Sequence, residues 1–489
     1  MNKNSIQSIV LIPIVVFFLT GLNSFAQQNK KNLPNVIVFV ADDFGYGSTN
    51  VYGAPESLIK TPNINKLAEE GIRFTNAFTT GSVCTPTRYA LMTGEYSWRT
   101  SLKKGVVDSN DPALIDVNKK SLSKYMQSLG YKTAQAGKWH LGFKEEKFEN
   151  LLGDIYPGPN DYGFDYSFAL PNNLDDVHKV YIENNKIYGL RSDKICAYGM
   201  SFYGKQYTGY DAPQRVTEQV TDDLTKKSIA WMESLDGSKP FFLYYAAAAV
   251  HHPIVPSPLM RGKSNAGAYG DFIQDIDRSL GDLIAYLEAK GIRENTLIIF
   301  ASDNGGDIPE RKGMIMPENF AVNKGLKING DLKGDKHTIW DGGFKIPFIV
   351  NYPKEIKANQ TANATVSTID IYAFLADYIG NNIGLTKQDA PDSYSFKTVV
   401  ENTSTNYQRP PLVHRDAQGR KAVRFGSWKY IETKNENSKN PTDKKQLFDL
   451  TQDEAESNNI VSKELEKTKD AEEYLKQVMA HASKSIWKK

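Results

Sequence analysis

An unbroken apolar run, Val36-Ile37-Val38-Phe39-Val40-Ala41, stops abruptly at Asp42-Asp43-Phe44-Gly45-Tyr46-Gly47. A strand with one wet face alternates apolar and polar residues, whereas a run without a polar break suits a strand buried on both faces of a parallel sheet. Phe241-Phe242-Leu243-Tyr244-Tyr245 and Leu297-Ile298-Ile299-Phe300 are further strand-like runs, and between them Phe272, Ile273, Ile276, Leu280, Leu283, Ile284 and Leu287 lie on one helix face. Leu122, Tyr125, Met126 and Leu129 also recur at helical spacing before Gly130. Thr61 is placed to N-cap a helix, Pro62 fits its first turn and Gly71 its stop. Strands alternating with helices predict an α/β domain with a central, mostly parallel sheet flanked by helices.

Three polar segments interrupt this pattern, at about residues 143–212, 305–334 and 381–412. Long loops of this kind are usually functional or disordered. The first two adjoin candidate site residues and read as substrate loops; the third reads as a boundary. Beyond it, residues 422–431 and 446–450 look like short strands, followed by a charged helix from about Glu464. The expected organisation is a leader over residues 1–26, an α/β domain over 27–395, and a small α+β subdomain with an antiparallel sheet over 396–489.

The leader rests on Lys3, an apolar stretch from Ile9 to Leu22 interrupted by Pro13, and small residues at Ser24 and Ala26. That stretch is shorter than the roughly 18 to 20 residues of a membrane span, and no cysteine follows it to carry a lipid. An exported protein, periplasmic or secreted, without a stable membrane anchor is expected. Lysine and arginine (59) nearly cancel aspartate and glutamate (57) in the 489 residues, so nothing points to nucleic acid. An anionic substrate must be drawn by a local cluster.

In an open α/β sheet, ligands sit beyond the carboxyl ends of the strands. Polar residues stand there repeatedly: Asp42 and Asp43 after the first run, Lys138 and His140 after Thr133–Gly137, His251 after Phe241–Val250, and Asp303 and Asn304 after Leu297–Ser302. The pentapeptide Cys84-Thr85-Pro86-Thr87-Arg88 holds one of only two cysteines. With Cys196 it could form a disulfide, or both could be inert thiols.

Cys84 to Arg88 resembles the formylglycine-forming site of the type I sulfatases, in the alkaline phosphatase superfamily. Five further segments resemble motifs of that family in the same order: Ala41 to Gly47, Gly137-Lys138-Trp139-His140-Leu141-Gly142, His251-His252-Pro253-Ile254, Ser302-Asp303-Asn304-Gly305-Gly306, and Leu332 to Lys336 leading to Trp340-Asp341-Gly342-Gly343. The resemblance implies an alkaline-phosphatase-like domain that hydrolyses sulfate esters. It implies oxidation of Cys84 to formylglycine by a formylglycine-generating or anaerobic sulfatase-maturating enzyme. It also implies calcium on Asp42, Asp43, Asp303, Asn304 and an oxygen of modified residue 84, an oxygen-rich set that suits calcium or magnesium. Pro86 in a first helical turn, with Thr85 near the cap, would set residue 84 at a helix N-terminus, where anions are favoured.

Under the same resemblance, an ionised hydroxyl of the aldehyde hydrate attacks sulfur, with Arg88 supporting that charge and Lys138, His251 and Lys336 on the sulfate oxygens. His251 is the expected general acid, assisted by Lys336, and His140 the expected base. Three carboxylates, one ionised hydroxyl and one sulfate ester are then balanced by a divalent cation and three basic side chains. Ser48, Lys333, Asp341 and Lys345 depart from the commonest family spelling and read as supporting positions.

A sulfated poly- or oligosaccharide is the implied substrate, with Asp175, Asp176, His178, His337 and His414 as candidate sugar contacts. A phosphonate or phosphate ester hydrolase of the same superfamily, and a non-catalytic protein that binds sulfated glycans, are the alternative readings.

Overall fold

The computed structural model describes residues 33–200, 204, 206–311, 313–386, 388–432 and 445–480; the expected leader lies outside them. Along the chain come β1 (Asn35–Ala41), α1 (Pro62–Glu69), β2 (Ile72–Phe74), β3 (Ala77–Phe78), α2 (Cys84–Thr93), α3 (Leu122–Ser128), β4 (Lys132–Lys138), β5 (Tyr166–Leu170), β6 (Ile182–Glu183), β7 (Lys186–Ile187), β8 (Ser192–Met200) and β9 (Gln206–Asp211). There follow α4 (Val220–Glu233), β10 (Phe241–Ala246), α5 (Gly267–Ala289), β11 (Thr296–Ser302), α6 (Pro317–Asn323), β12 (Phe348–Asn351), β13 (Gln360–Ala362), β14 (Val366–Ser367), α7 (Asp370–Tyr378) and α8 (Lys397–Glu401). The last elements are β15 (Leu412–Arg415), β16 (Lys421–Phe425), β17 (Trp428–Glu432), β18 (Lys445–Asp449) and α9 (Leu465–Ala480).

Ten strands form one sheet in the order β13-β2-β12-β11-β1-β10-β4-β5-β6-β7. Its middle, from β11 to β5, is parallel. The apolar runs occupy these strands because helices cover both faces. On β1, Val36, Val38 and Val40 pack with residues of α2, α3 and α7, while Ile37, Phe39 and Ala41 pack with residues of α1, α4 and α5. Each such side chain contributes roughly 1.5–3 kcal/mol when fully buried, so a charge at Val38 or Phe39 would break the sheet at its centre.

Register places the site. Ala41 pairs with Ser302, Val40 with Ala246, Ala246 with Gly137, and Lys138 with Leu170. The residues that follow β1, β11, β10 and β4 therefore emerge at one level along the carboxyl edge. Gly137 makes this possible: its φ is 110°, and a Cβ there would stand 1.8 Å from the Ala246 carbonyl oxygen. Gly71 follows α1 as expected, yet glycine is needed there because a Cβ would meet the Val350 carbonyl oxygen at 2.5 Å.

The segment 143–212 is not one long loop. It contains β5, which extends the parallel sheet, and the antiparallel pair β8–β9. Most side chains of β8 are exposed, so no apolar run marks it. The segment 381–412 likewise holds α8, whose Val399 and Val400 join the core of the large sheet.

Strands β15 to β18 form a separate antiparallel sheet, with Ala471, Leu475 and Val478 of α9 packed in its core. That core is shared with Phe78, Ala90 and Phe344 of the large domain. β15 also reaches the segment before Cys84, since Arg415 N–H donates to Thr80 O at 2.9 Å and Ser82 N–H to Arg415 O at 3.2 Å. No helix among the described residues is long and apolar enough to cross a membrane.

Candidate active site

Cys84 is the first residue of α2, and Val83, not Thr85, is the cap. Thr85 does different work. Its hydroxyl donates to His140 O at 3.0 Å and accepts Val107 N–H at 3.1 Å, tying the helix to the backbone that carries His140. Arg88, one turn along α2, donates from Nε and a terminal nitrogen to Asp303 Oδ2 at 3.0 and 2.8 Å, and from its other terminal nitrogen to Lys138 O at 3.0 Å.

The remaining groups arrive from the strand ends, except Lys336, which comes from the loop between α6 and β12. Lys138 Nζ lies 2.9 and 2.8 Å from the Asp42 oxygens and 3.2 Å from Cys84 Sγ. Lys336 Nζ lies 2.6 Å from Asp43 Oδ2, and His251 Nε2 3.8 Å from the same oxygen. Asn304 Nδ2 donates to Asp43 Oδ1 at 2.8 Å. Asp43 and His140 both take positive φ, 54° and 56°, a conformation that costs non-glycine residues of order 1 kcal/mol or more and clusters at functional sites. Asp43 N–H is directed at Asp303 Oδ1 at 3.1 Å.

Asp42, Asp43, Cys84 and Asp303 are buried, and each offers a ligand atom within 4.8 Å of the others. Burial, then the charges of Asp303 and Asp43, push the Asp42 carboxyl up to about 7 against the pull of Lys138 and Arg88. Burial also acts on Asp43, but Lys336, His251 and Lys138 outweigh it and hold that carboxyl well below the usual range. Asn304 Oδ1 is buried with no hydrogen-bond partner among the described residues. Crowded carboxylates beside an unpaired amide oxygen fit a hard divalent cation, which would relieve Asp42 and satisfy Asn304.

Burial pushes the Cys84 thiol well above its ordinary value. A thiol so held is protonated at neutral pH and is a poor nucleophile. Cys84 and Cys196 are both free, so no disulfide joins them.

The two histidines differ in tautomer. His140 Nε2 faces Val107 O at 3.1 Å, which requires the proton on Nε2 and leaves Nδ1 as a buried lone pair without a partner among the described residues. His251 Nδ1 faces His252 O at 2.8 Å, so its Nε2 is the free position. Burial first, then Lys138 and Arg88, push the His140 imidazole well down; burial and Lys336 do the same to His251 against Asp43. A ring nitrogen of His251 lies within 4.8 Å of ligand atoms of both Asp43 and Cys84.

The expected sugar contacts separate. His337 follows Lys336 and is anchored by its N–H to Ser82 O at 2.8 Å, beside the pocket. Asp176 is buried with Oδ2 unpaired among the described residues, while Oδ1 accepts His178 N–H. His178 Nε2 contacts Asn110 Oδ1 at 2.6 Å, and Asp175 meets the Tyr207 hydroxyl. His414 is 0 % exposed; its Nδ1 faces Thr79 O at 3.0 Å, and its ring packs between Phe78 and Phe344. It fills the seam between the two sheets and is no sugar contact. Among the departures in spelling, Asp341 bonds Arg424 and Lys429 of the small sheet, and Lys333 donates to Glu456 O. Sequence reasoning missed Asp307 and Glu318, which flank His252.

The profile of the family described as Sulfatase matches residues 34–381, and that of N-sulphoglucosamine sulphohydrolase, C-terminal, matches 333–485. The chain is 32% identical to an N-acetylgalactosamine-6-O-sulfatase of Bacteroides thetaiotaomicron, over 97% of this chain and 99% of that protein. A solved Bacteroides thetaiotaomicron structure, described in connection with the metabolism of multiple glycosaminoglycans, superposes with a TM-score of 0.83 at 30% identity, covering 92% of this chain and 100% of that one. A phosphonate monoester hydrolase of Agrobacterium radiobacter shares the fold, with a TM-score of 0.60 at 18% identity over 91% of this chain and 95% of that one.

Proposed function

The chain belongs to the sulfatase family of sulfuric ester hydrolases, and from that premise we propose that it is an exported enzyme that removes sulfate from a sulfated carbohydrate. The observation that carries the proposal is the placement of Cys84: its sulfur is 3.2 Å from Lys138 Nζ and inside the acidic cluster, in surroundings that keep an unmodified thiol protonated. Converted to formylglycine by a maturation enzyme, residue 84 supplies a geminal diol, one hydroxyl to attack sulfur and a second whose deprotonation expels sulfate. Asp42, Asp43, Asp303 and Asn304 would hold calcium, which would supply positive charge that favours an ionised hydroxyl at residue 84.

The chain's own groups do the rest. Lys138 and Lys336 are ion-paired to Asp42 and Asp43 at rest and turn toward the ester's sulfate oxygens, while Arg88 keeps Asp303 fixed. Three carboxylates and three bases already cancel, so a divalent cation leaves the pocket with two positive charges. An ionised hydroxyl and a sulfate monoester restore neutrality, which selects an anionic ester. Substrate charge also favours the imidazolium form of His251, whose Nε2 delivers a proton to the departing oxygen. His140 Nδ1 accepts the proton of the second hydroxyl. In this reading the catalytic domain runs past the expected boundary at 395 to include α8, whose Val399 and Val400 lie in the large core, and the C-terminal unit begins with β15.

The test is mass spectrometry of the peptide spanning residue 84, from protein made with a maturation enzyme, alongside turnover of matched aryl sulfate and aryl phosphonate esters. Formylglycine and a sulfate preference are expected. An unmodified thiol in active protein, or a phosphonate preference, would overturn the reading. The 6-O-sulfated N-acetylgalactosamine of the relative named above is the first sugar to assay.

A further inference from the structure

His251 is followed by a second histidine that does not face the reacting atoms. His252 is buried, with Nε2 3.1 Å from Asp307 Oδ2 and Nδ1 2.9 Å from Glu318 Oε1. A neutral imidazole has one N–H and would set a lone pair against the other carboxylate, so two such partners require the imidazolium. Burial opposes that charge, but the bonds and charges of Asp307 and Glu318 outweigh it and hold the group up to about 9.

The carbonyl of this same residue accepts the Nδ1–H of His251 at 2.8 Å. That bond fixes the His251 tautomer and aims its ring, leaving Nε2 toward Asp43. Asp307 stands just beyond Asp303-Asn304, and Glu318 is on α6. Both belong to the polar segment 305–334, which thereby becomes part of the support for His251. A buried ion triad is a poor device for stability alone, because apolar replacements of similar volume are often neutral or stabilising.

We infer that His252 is a positioning residue: clamped between Asp307 and Glu318, it holds its own carbonyl, and through it the His251 ring, in the orientation that presents Nε2 to the ester oxygen. The inference rests on His251 being the general acid. Its signature is a loss of rate that depends on the leaving group, since an acid matters most where the departing oxygen is most basic.

The experiment uses matured full-length enzyme and a series of aryl sulfates of rising phenol pKa, comparing wild type with His251→Ala, His252→Gln, Asp307→Asn and Glu318→Gln. His251→Ala should lose rate ever more steeply along the series. His252→Gln should follow the same trend more weakly, by about 10- to 100-fold on the most basic leaving group and by less than about threefold on the most acidic. An equal loss across the series, or none, in the clamp variants while His251→Ala stays steep overturns the clamp. A flat His251→Ala series overturns the acid assignment and the inference with it. Should His252→Gln fail to fold, Glu318→Gln, which removes one partner only, carries the same comparison.

Discussion

Lys138 Nζ stands 2.9 and 2.8 Å from the two carboxylate oxygens of Asp42, a bond between the ends of β4 and β1 that spans the intervening strand β10. The pair keeps a lysine beside residue 84 without leaving either charge unmatched. Replacing Lys138 by Met should lower kcat for sulfate release by about 10²–10³-fold, the usual effect of losing a preorganised charge at a reacting oxyanion. A variant with near-wild-type kcat would remove Lys138 from the proposed machinery.

Removal of divalent cations from the matured enzyme should abolish turnover and lower Tm, with calcium restoring both. A ligand at about 100 times its Kd stabilises the folded state by about 2.7 kcal/mol. Asp303→Ala should be inactive and show no calcium-dependent shift of Tm. Differential scanning calorimetry with and without calcium, with magnesium as a comparison, decides this, and an unchanged melting curve would count against the cation.

The His252 clamp also makes a pH-dependent contribution to stability. Its folded pKa, about 9, lies above the ordinary 6.5, so its stabilisation is fully present below about pH 6.5 and is lost as pH rises through about 9. The size is on the order of 3 kcal/mol. The groups acting on it are Asp307 and Glu318, with Lys336 and His337 close to Asp307. Urea unfolding should separate wild type from His252→Gln most at pH 6 and least at pH 9.5; a constant gap across that range would contradict the assignment.

Asp341 is buried between Arg424 and Lys429, whose charges outweigh burial and hold its carboxyl below the usual range. Lys429 is shared with Glu456, which also accepts Asp341 N–H at 2.7 Å. Asp341→Ala strands these cations, and equilibrium unfolding should show a loss of about 3–5 kcal/mol. A loss below about 1 kcal/mol would mean the cluster relaxes into water.

The parts of the fold most legible in the sequence are those buried on both sides. β1, β10 and β11 show as apolar runs because helices cover both faces, and the same runs point to Asp42, Asp303 and His251 at their carboxyl ends. The pair β8–β9 is hidden because most side chains of β8 face water, Ile195 and Met200 among them, and only scattered residues such as Tyr198 and Tyr207 reach the core, so no continuous apolar run forms. Thr85 reads as a cap from local spacing, but its partners are Val107 and His140, and only the fold brings them near. His414 looks like a polar residue free for a sugar; the seam that buries it comes from packing one sheet on another. The His252 clamp is invisible for the same reason, since Asp307 and Glu318 join it only through the fold.

β15 is bonded directly to residues 80–82, and the small sheet grips Asp341, whose own turn holds Lys333 O through Gly342 N–H at 2.9 Å. The C-terminal unit thus braces, from outside, the segment that leads into Cys84 and the turn that follows Lys336. Trimming the chain to a minimal enzyme at the start of that unit would not yield a smaller catalyst but one whose Cys84 segment and Asp341 turn have lost their backing. A proteolytic nick, or an inherited lesion far along the sequence, would present in an assay as failed chemistry with every catalytic residue still in place.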